Sequence, residues 1–464
     1  MALIKSISGI RGTIGGAPGS GLPPIDIVRF TTAYGAWILQ RDKGRRIVIG
    51  RDGRISGEMV RNIVASTLQG LGFDVVDLGL STTPTVEIAV TEEGAAGGII
   101  LTASHNPKEW NALKLLNERG EFISAEDGAW IRDYADNGSP AFAEINKLGT
   151  VTMDDSYMQK HIDVLCAHPL VDVEAIRAKG FRIVVDAINS TGATFVPALL
   201  NALGVEDITV INEEVSGKFH HNPEPLPEHL RELCSIVEKR NAHLGIAVDP
   251  DVDRLCFVCE DGSPFGEEYT LVAVADYILQ NKKGNTVSNM SSTRALRDVT
   301  EKHGGEYFAS AVGEVNVVNK MKEVNAVIGG EGNGGVIVPE LHYGRDALAG
   351  IALFLTHLAK SCKCIKALRG TYPDYFISKN KIELSEDIKV DEIFERIRQK
   401  YARQKISTED GLKIEFDRDW VHLRTSNTEP IIRIYAESVT ETMAGNIAKR
   451  IMEDIKEAML ERVD

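Results

Sequence analysis

The sequence predicts three related α/β domains with mixed, mainly parallel sheets, followed by a C-terminal α+β domain. Three observations predict it. A length of 464 residues suits three or four domains, at ~100–200 residues each. A pattern of strand, loop, helix, Gly and strand recurs three times, each time after Lys-Gly. Residues 369–464 then break the pattern.

The first copy starts at Lys43-Gly44. A strand from Arg46 to Gly50 leads to a helix near Gly57–Gln69 and a strand from Phe73 to Asp77. The second starts at Lys179-Gly180, with strand Arg182–Asp186, a helix near Ala193–Leu203 and strand Ile208–Ile211. The third starts at Lys283-Gly284, with strand Asn285–Asn289, a helix near Thr293–His303 and strand Glu306–Ala309. Short apolar runs alternating with amphipathic helices imply parallel strands covered on both faces.

Each copy then supplies a further strand ending in a polar loop. Gly98–Leu101 runs into Thr102-Ala-Ser-His-Asn-Pro107, Leu244–Val248 into Asp249-Pro-Asp-Val-Asp-Arg254, and Ala326–Gly329 into Gly330-Glu-Gly-Asn-Gly-Gly335. Ligands in open α/β sheets bind beyond the carboxyl ends of strands. Three loops in one topological place can therefore converge if the domains pack around one centre. The tail reads strand Phe376–Leu384, helix Val390–Tyr401, strands near Leu412–Phe416, Trp420–Leu423 and Ile431–Ala436, and a helix from Thr440 to Leu460. Boundaries at 1–150, 151–255, 256–368 and 369–464 follow, with a linker near Leu368–Pro373.

A net charge of −15 argues against non-specific nucleic-acid binding, which needs a basic footprint. It leaves a phosphorylated substrate open, since a site can be locally basic. No apolar run approaches the ~20 residues of a membrane helix, and the N-terminal residues carry no apolar signal region. A cytoplasmic protein without membrane or nucleic-acid partners is expected. Cys256 and Cys259 stand in an alternating run and should face opposite ways, so reduced thiols suit the six cysteines better than a zinc site.

The loops carry the chemistry. Asp249, Asp251 and Asp253 lie within five residues. Ionised carboxylates so close repel, and a hard dication relieves this; a solvated acidic turn is the alternative. Ser104 after a strand suits a nucleophile or a phosphate acceptor, or else an ordinary turn serine. Glu331 among four glycines can accept hydrogen bonds from two sugar hydroxyls. Arg424-Thr-Ser-Asn-Thr-Glu-Pro430 with Arg433 offers two guanidiniums and several donors for a phosphate dianion. Together they supply the positioning and charge stabilisation that phosphoryl transfer requires.

These four loops in this order, preceded by Ser8-Gly-Ile-Arg-Gly12, resemble the α-D-phosphohexomutase family along the whole chain. The resemblance implies four domains around a central cleft and a hexose 6-phosphate/hexose 1-phosphate interconversion through a phosphoserine and a 1,6-bisphosphate. It implies phosphorylated Ser104, with one Mg²⁺ between that phosphate and Asp249, Asp251 and Asp253. Arg11 and Arg254 would balance charge there, and His105 and Lys114 are the proton-transfer candidates. Glu331 and Asn333 would hold sugar hydroxyls, and Arg424, Ser426, Asn427, Thr428 and Arg433 the phosphate not in transfer. The sugar loop departs from the Gly-Glu-Met-Ser-Gly of many relatives. Glu314 replaces a histidine of glucose and mannose mutases, which points toward the archaeal-type phosphoglucosamine mutases and lets Glu314 face an amino-sugar ammonium. A phosphomannomutase or phosphoglucomutase is the near alternative. A phosphatase using the aspartates, or a non-catalytic sugar-phosphate sensor, is the alternative from another class. A monomer or homodimer is expected.

Overall fold

The computed structural model describes residues 3–6, 9–384, 389–425 and 431–460. The first domain builds a seven-stranded sheet from β1 (Leu3–Ser6), β2 (Gly9–Thr13), β3 (Arg46–Arg51), β4 (Asp74–Leu80), β5 (Gly97–Leu101), β6 (Trp110–Leu116) and β7 (Val151–Met153). The second uses β8 (Arg182–Asp186), β9 (Asp207–Ile211), β10 (Leu244–Val248) and β11 (Leu255–Cys259). The third uses β12 (Asn285–Asn289), β13 (Tyr307–Ser310), β14 (Ala326–Glu331) and β15 (Gly335–Ile337).

The repeat in sequence becomes a repeat in topology. The strand orders β4-β3-β5-β6, β9-β8-β10-β11 and β13-β12-β14-β15 are the same order. In each the first three strands are parallel and the fourth runs back antiparallel. The helices between the first two strands are Gly57–Gly70, Gly192–Ala202 and Ala295–Lys302. All residues of β5 and β10 are buried, as strands covered on both faces must be. The first sheet adds the hairpin β1–β2 against β6, and β7 beside β4. The expected cut at 150 precedes β7, and the cut at 255 falls on the first residue of β11.

The fourth domain contains β16 (Phe376–Glu383), β17 (Lys405–Ser407), β18 (Leu412–Glu415), β19 (Trp420–Thr425) and β20 (Ile431–Ser438), in the antiparallel order β16-β20-β19-β18-β17. The short edge strand β17 is one more than the sequence reading counted. Helices Val390–Lys400 and Glu441–Leu460 bury Ile393, Ile397, Ile451 and Ile455 against the sheet's Ile414, Val421, Ile432 and Ile434.

Apolar packing divides the molecule unevenly. The second and third domains share one core, where the rings of Phe257 and Phe354 stack at 3.9 Å between centroids and Phe265 meets Phe354 edge-on. The first and fourth domains have cores of their own. Cys256 and Cys259 lie in different cores, as their alternation implied, and all six cysteines are free. Among the described residues no helix is long and apolar enough to cross a membrane.

Candidate active site

The loops after β5, β10 and β14 meet. Ser104 is buried, and its Oγ donates to Asp249 Oδ2 at 2.7 Å across the boundary between the first two domains. Its backbone is left-handed, φ 49°, a conformation that costs a non-glycine residue of order 1–3 kcal/mol. Two groups hold it there. The Ser104 N–H donates to Thr102 Oγ1 at 2.9 Å, and Arg54 donates to the Ser104 carbonyl. Arg54 also reaches the carbonyls of Asn106, Pro107 and Trp110, and pairs with Asp52 at 2.9 Å. The aspartate loop has its own left-handed residue, Val252 at φ 60°, which is unusual for a β-branched side chain. That turn lets Asp249 Oδ1 accept from the N–H groups of both Asp253 and Arg254 at 3.1 Å.

The three carboxylates are fully buried, with ligand oxygens within 4.8 Å of one another. Asp251 Oδ2 accepts from Thr83 Oγ1 at 2.6 Å and Lys114 Nζ at 2.7 Å; Asp253 Oδ2 accepts from Arg345 Nη2 at 2.7 Å and Lys114 Nζ at 3.3 Å. Asp251 Oδ1 and Asp253 Oδ1 are buried without a partner. Burial, then the charges of Asp253 and Asp251, push the Asp249 carboxyl well above the usual range. Two orphaned anionic oxygens beside a carboxyl that resists ionisation fit a hard dication, which would replace that proton and satisfy those oxygens.

Charge separates the two proton-transfer candidates. Burial alone would lower the Lys114 pKa, but Asp251 and Asp253 raise it, so Lys114 is an ammonium. Burial, then Arg254 and Arg11, hold His105 well below the usual imidazole range, so it is neutral. His105 Nδ1 lies 3.4 Å from Ser104 Oγ. Arg11 donates to Asn106 Oδ1 at 2.8 Å, and Arg254 pairs with Glu224 at 2.7 Å while its buried Nε has no partner.

Glu331 ends β14. Its Oε1 accepts from Asn289 Nδ2 at 2.9 Å and the Gly313 N–H at 3.2 Å. Asn333 turns its Oδ1 back to the Gly335 N–H at 3.2 Å. The neighbouring glycines make room inside the protein. A Cβ at Gly335 would stand 2.3 Å from Arg345 Cδ, and one at Gly334, φ 84°, 2.1 Å from the Leu255 carbonyl oxygen. Both oxygens of Glu314 are engaged by Arg345, Oε2 by Nε at 2.9 Å and Oε1 by the backbone N–H at 3.3 Å, and the same guanidinium also meets Asp253 and Glu331.

Arg424 and Arg433 face each other across β19 and β20, where like charges repel unless an anion lies between. Arg424 Nε lies 2.8 Å from Asp410 Oδ2, which also accepts from the Val312 N–H at 2.9 Å. Polar contacts thus run without a gap from Ser104 through Asp249, Asp253, Arg345, Glu331 and the Val312–Gly313 segment to Arg424. Ser426, Asn427 and Thr428 lie outside the described residues, as does Ser8. Sequence reasoning missed Arg54, Thr83 and Arg345. For Arg54 the available signal was Arg51-Asp-Gly-Arg54 at the end of β3, a charged turn at the same strand end as the others.

Models of the phosphoglucomutase/phosphomannomutase domains match in order: the α/β/α domain I over residues 3–141, domain II over 156–262, domain III over 266–375 and the C-terminal domain over 379–454. The chain belongs to the phosphoglucomutase/phosphomannomutase family. Within it, the chain is 35% identical to the phosphoglucomutase/phosphomannomutase of Thermococcus kodakarensis, over 97% of this chain and 98% of that protein. It is 31% identical to the phosphoglucosamine/phosphogalactosamine mutase of Sulfurisphaera tokodaii, also over 97% and 98%. The crystal structure of a phosphoglucomutase/phosphomannomutase family protein from Burkholderia thailandensis shares the fold, with a TM-score of 0.85 at 24% identity over 99% of this chain and 98% of that one. As a member of the phosphoglucomutase/phosphomannomutase family the protein is a phosphohexomutase, an isomerase.

Proposed function

We propose that the protein interconverts glucosamine 6-phosphate and glucosamine 1-phosphate through a phosphorylated Ser104 and a hexose 1,6-bisphosphate. The observation that carries the mechanism is Ser104 Oγ at 2.7 Å from Asp249, an acid of a different domain, beside two orphaned aspartate oxygens. Asp249, Asp251 and Asp253 would hold one Mg²⁺, which when bound stabilises charge on the transferring phosphoryl oxygens. In the first half the bond from phosphorus to Ser104 Oγ breaks and one to the free sugar hydroxyl forms. Neutral His105 suits acceptance of that hydroxyl's proton, and charged Lys114 suits donation of a proton to the departing Ser104 Oγ. In the second half the bond from the other phosphate to its sugar oxygen breaks and one to Ser104 Oγ forms. The Ser104 hydroxyl proton returns to Lys114, and His105 gives its proton to the sugar oxygen. Arg11 and Arg254 would balance charge at the phosphoserine, Glu331 and Asn333 would hold sugar hydroxyls, and Arg424 and Arg433, with Ser426, Asn427 and Thr428 of the same sequence run, would grip the phosphate not in transfer.

The amino-sugar choice is supported by the name of the Sulfurisphaera relative. A second reading, glucose or mannose phosphate as the substrate, is favoured by the name of the Thermococcus relative. Relative kcat/KM for glucosamine, glucose and mannose 6-phosphates decides between them. The glucosamine compound is expected to give the highest value, and a higher value for mannose or glucose overturns the assignment.

A further inference from the structure

Arg345 stands just before the helix Ala347–Ser361, in no recognisable motif, and nothing in the sequence reading gave it a task. It is buried, and its guanidinium meets three acids through three different nitrogens. Nη2 donates to Asp253 Oδ2 at 2.7 Å, Nη1 to Glu331 Oε2 at 2.9 Å and Nε to Glu314 Oε2 at 2.9 Å. Asp253 belongs to the loop after β10 and Glu331 to the end of β14, in different sheets and different domains. A guanidinium is flat and rigid, with its donors at fixed angles, so one group sets the angle between the two loops.

The same fork leaves each acid free where it is needed. Asp253 gives Oδ2 to Arg345 and Lys114 and keeps Oδ1 without a partner. Glu331 is held at Oε2 by Arg345 and at Oε1 by Asn289 and the Gly313 N–H, so its carboxylate cannot swing. Arg345 is itself fixed from behind. Asp346 caps the helix through the Ala349 N–H at 3.0 Å, and its Oδ2 meets His161 of the second domain at 2.9 Å and His342 at 3.2 Å. Gly335 leaves the space the Arg345 stem fills, since a Cβ there would stand 2.3 Å from its Cδ.

We propose that Arg345 is a positioning residue that locks the sugar-binding carboxylate of Glu331 in register with the cation-binding aspartates, and so sets sugar recognition and turnover together. The proposal rests on the mutase reading above. A carboxylate that accepts from two adjacent hydroxyls discriminates sugar epimers only if its plane is fixed, and Arg345 is the charged group that fixes it.

Arg345→Lys in the full chain tests this. Lysine keeps the charge but is a point cation on a flexible stem, unable to serve three acids at set angles. Misplacement of reacting groups by ~1 Å can cost ~10²-fold. The expected result is a Tm near that of the wild type, KM for glucosamine 6-phosphate raised about tenfold, kcat lowered at least about tenfold, and a several-fold smaller kcat/KM ratio between epimeric hexose phosphates. Unchanged kinetics, with or without a lower Tm, overturn the proposal, because a merely structural arginine does not move an epimer ratio. Should Arg345→Lys fail to fold, the double variant Arg345→Met/Glu314→Gln removes one cation and one anion together and carries the same expectations. Calorimetric binding of glucosamine 6-phosphate separates the two readings. A wild type that binds the sugar phosphate without interconverting it refutes the mutase reading alone. Arg345 is then judged by whether Arg345→Lys weakens that binding about tenfold.

Discussion

Arg54 shows at the residue scale how much of the site depends on groups far from any motif. Its guanidinium collects the carbonyls of Ser104, Asn106, Pro107 and Trp110, and thereby fixes the turn that presents Ser104. Burial raises the Asp52 pKa, and Arg54 and Thr102 Oγ1 pull the other way. Removing the Arg54 side chain takes the guanidinium from buried Asp52, which keeps the Thr102 hydroxyl, and leaves four carbonyls without that donor. Arg54→Met should therefore lose ~3–5 kcal/mol of stability in urea unfolding, together with most of the mutase activity. A variant as stable as the wild type would show that the loop holds its shape unaided. Ser104, the three aspartates and His105 were legible in sequence because they sit in short runs after apolar strands, whereas Lys114, inside β6, was singled out by the family resemblance. Arg54 and Arg345 were not, since a single arginine carries no spacing. The contact of Glu314 with Arg345 was not legible because the two lie 31 positions apart along the chain.

Whole elements were easier to read than single residues where periodicity was strong, and harder where pairing decided. The three helices that follow β3, β8 and β12 came within two residues of their positions, because their apolar faces repeat at helical spacing. The strands β1, β7 and β17 have three or four residues each and exist only by pairing with a neighbour, which no local pattern reveals. The helix Thr83–Glu92 has a task its sequence does not announce. Thr83 touches Asp251 in the site, and one turn on, buried Glu87 faces His342 Nδ1 at 3.1 Å. Asp346 and His161 complete a buried polar seam where the first domain meets the shared core of the second and third.

That seam makes stability depend on pH. Burial opposes charge on His342, but hydrogen bonds to Asp346 and Glu87 and their charges hold its pKa up at about 10. Burial likewise raises the Glu87 carboxyl. Both groups keep protons in the folded state that the unfolded chain gives up. The stability from His342 is fully present below its ordinary value, ~6.5, and is lost as pH rises through about 10. The unfolding free energy from urea titrations should therefore fall between pH 7 and 10, with His342 contributing a slope of up to ~1.4 kcal/mol per pH unit. His342→Gln should flatten that slope, and an equally steep slope in the variant would place its origin elsewhere.

At the scale of the whole molecule, the second and third domains are joined by one apolar core, and polar contacts link them to the first and the fourth. Lys413 Nζ donates to the Met290 carbonyl at 2.7 Å, Ser291 Oγ meets His422 Nδ1 at 2.9 Å, and the Arg294 N–H donates to Glu437 at 3.0 Å across the junction with the fourth domain. Interfaces of this polar kind let domains move relative to one another, which the proposed turning of a bisphosphate in the site would require. The common strand order was visible in sequence as a threefold repeat, but the sharing of one core by two of the copies was not, because apolar runs do not say which sheet they will face. The central claim is that Ser104 carries the phosphoryl group between the two ends of a sugar. Peptide mass spectrometry after incubation with glucose 1,6-bisphosphate and Mg²⁺ tests it most directly. The account predicts a gain of about 80 Da on the Ser104 peptide, discharged by added hexose monophosphate and absent from Ser104→Ala, which should not turn over. A mutase that works with Ser104 unmodified, or with the phosphoryl group on an aspartate, would contradict it.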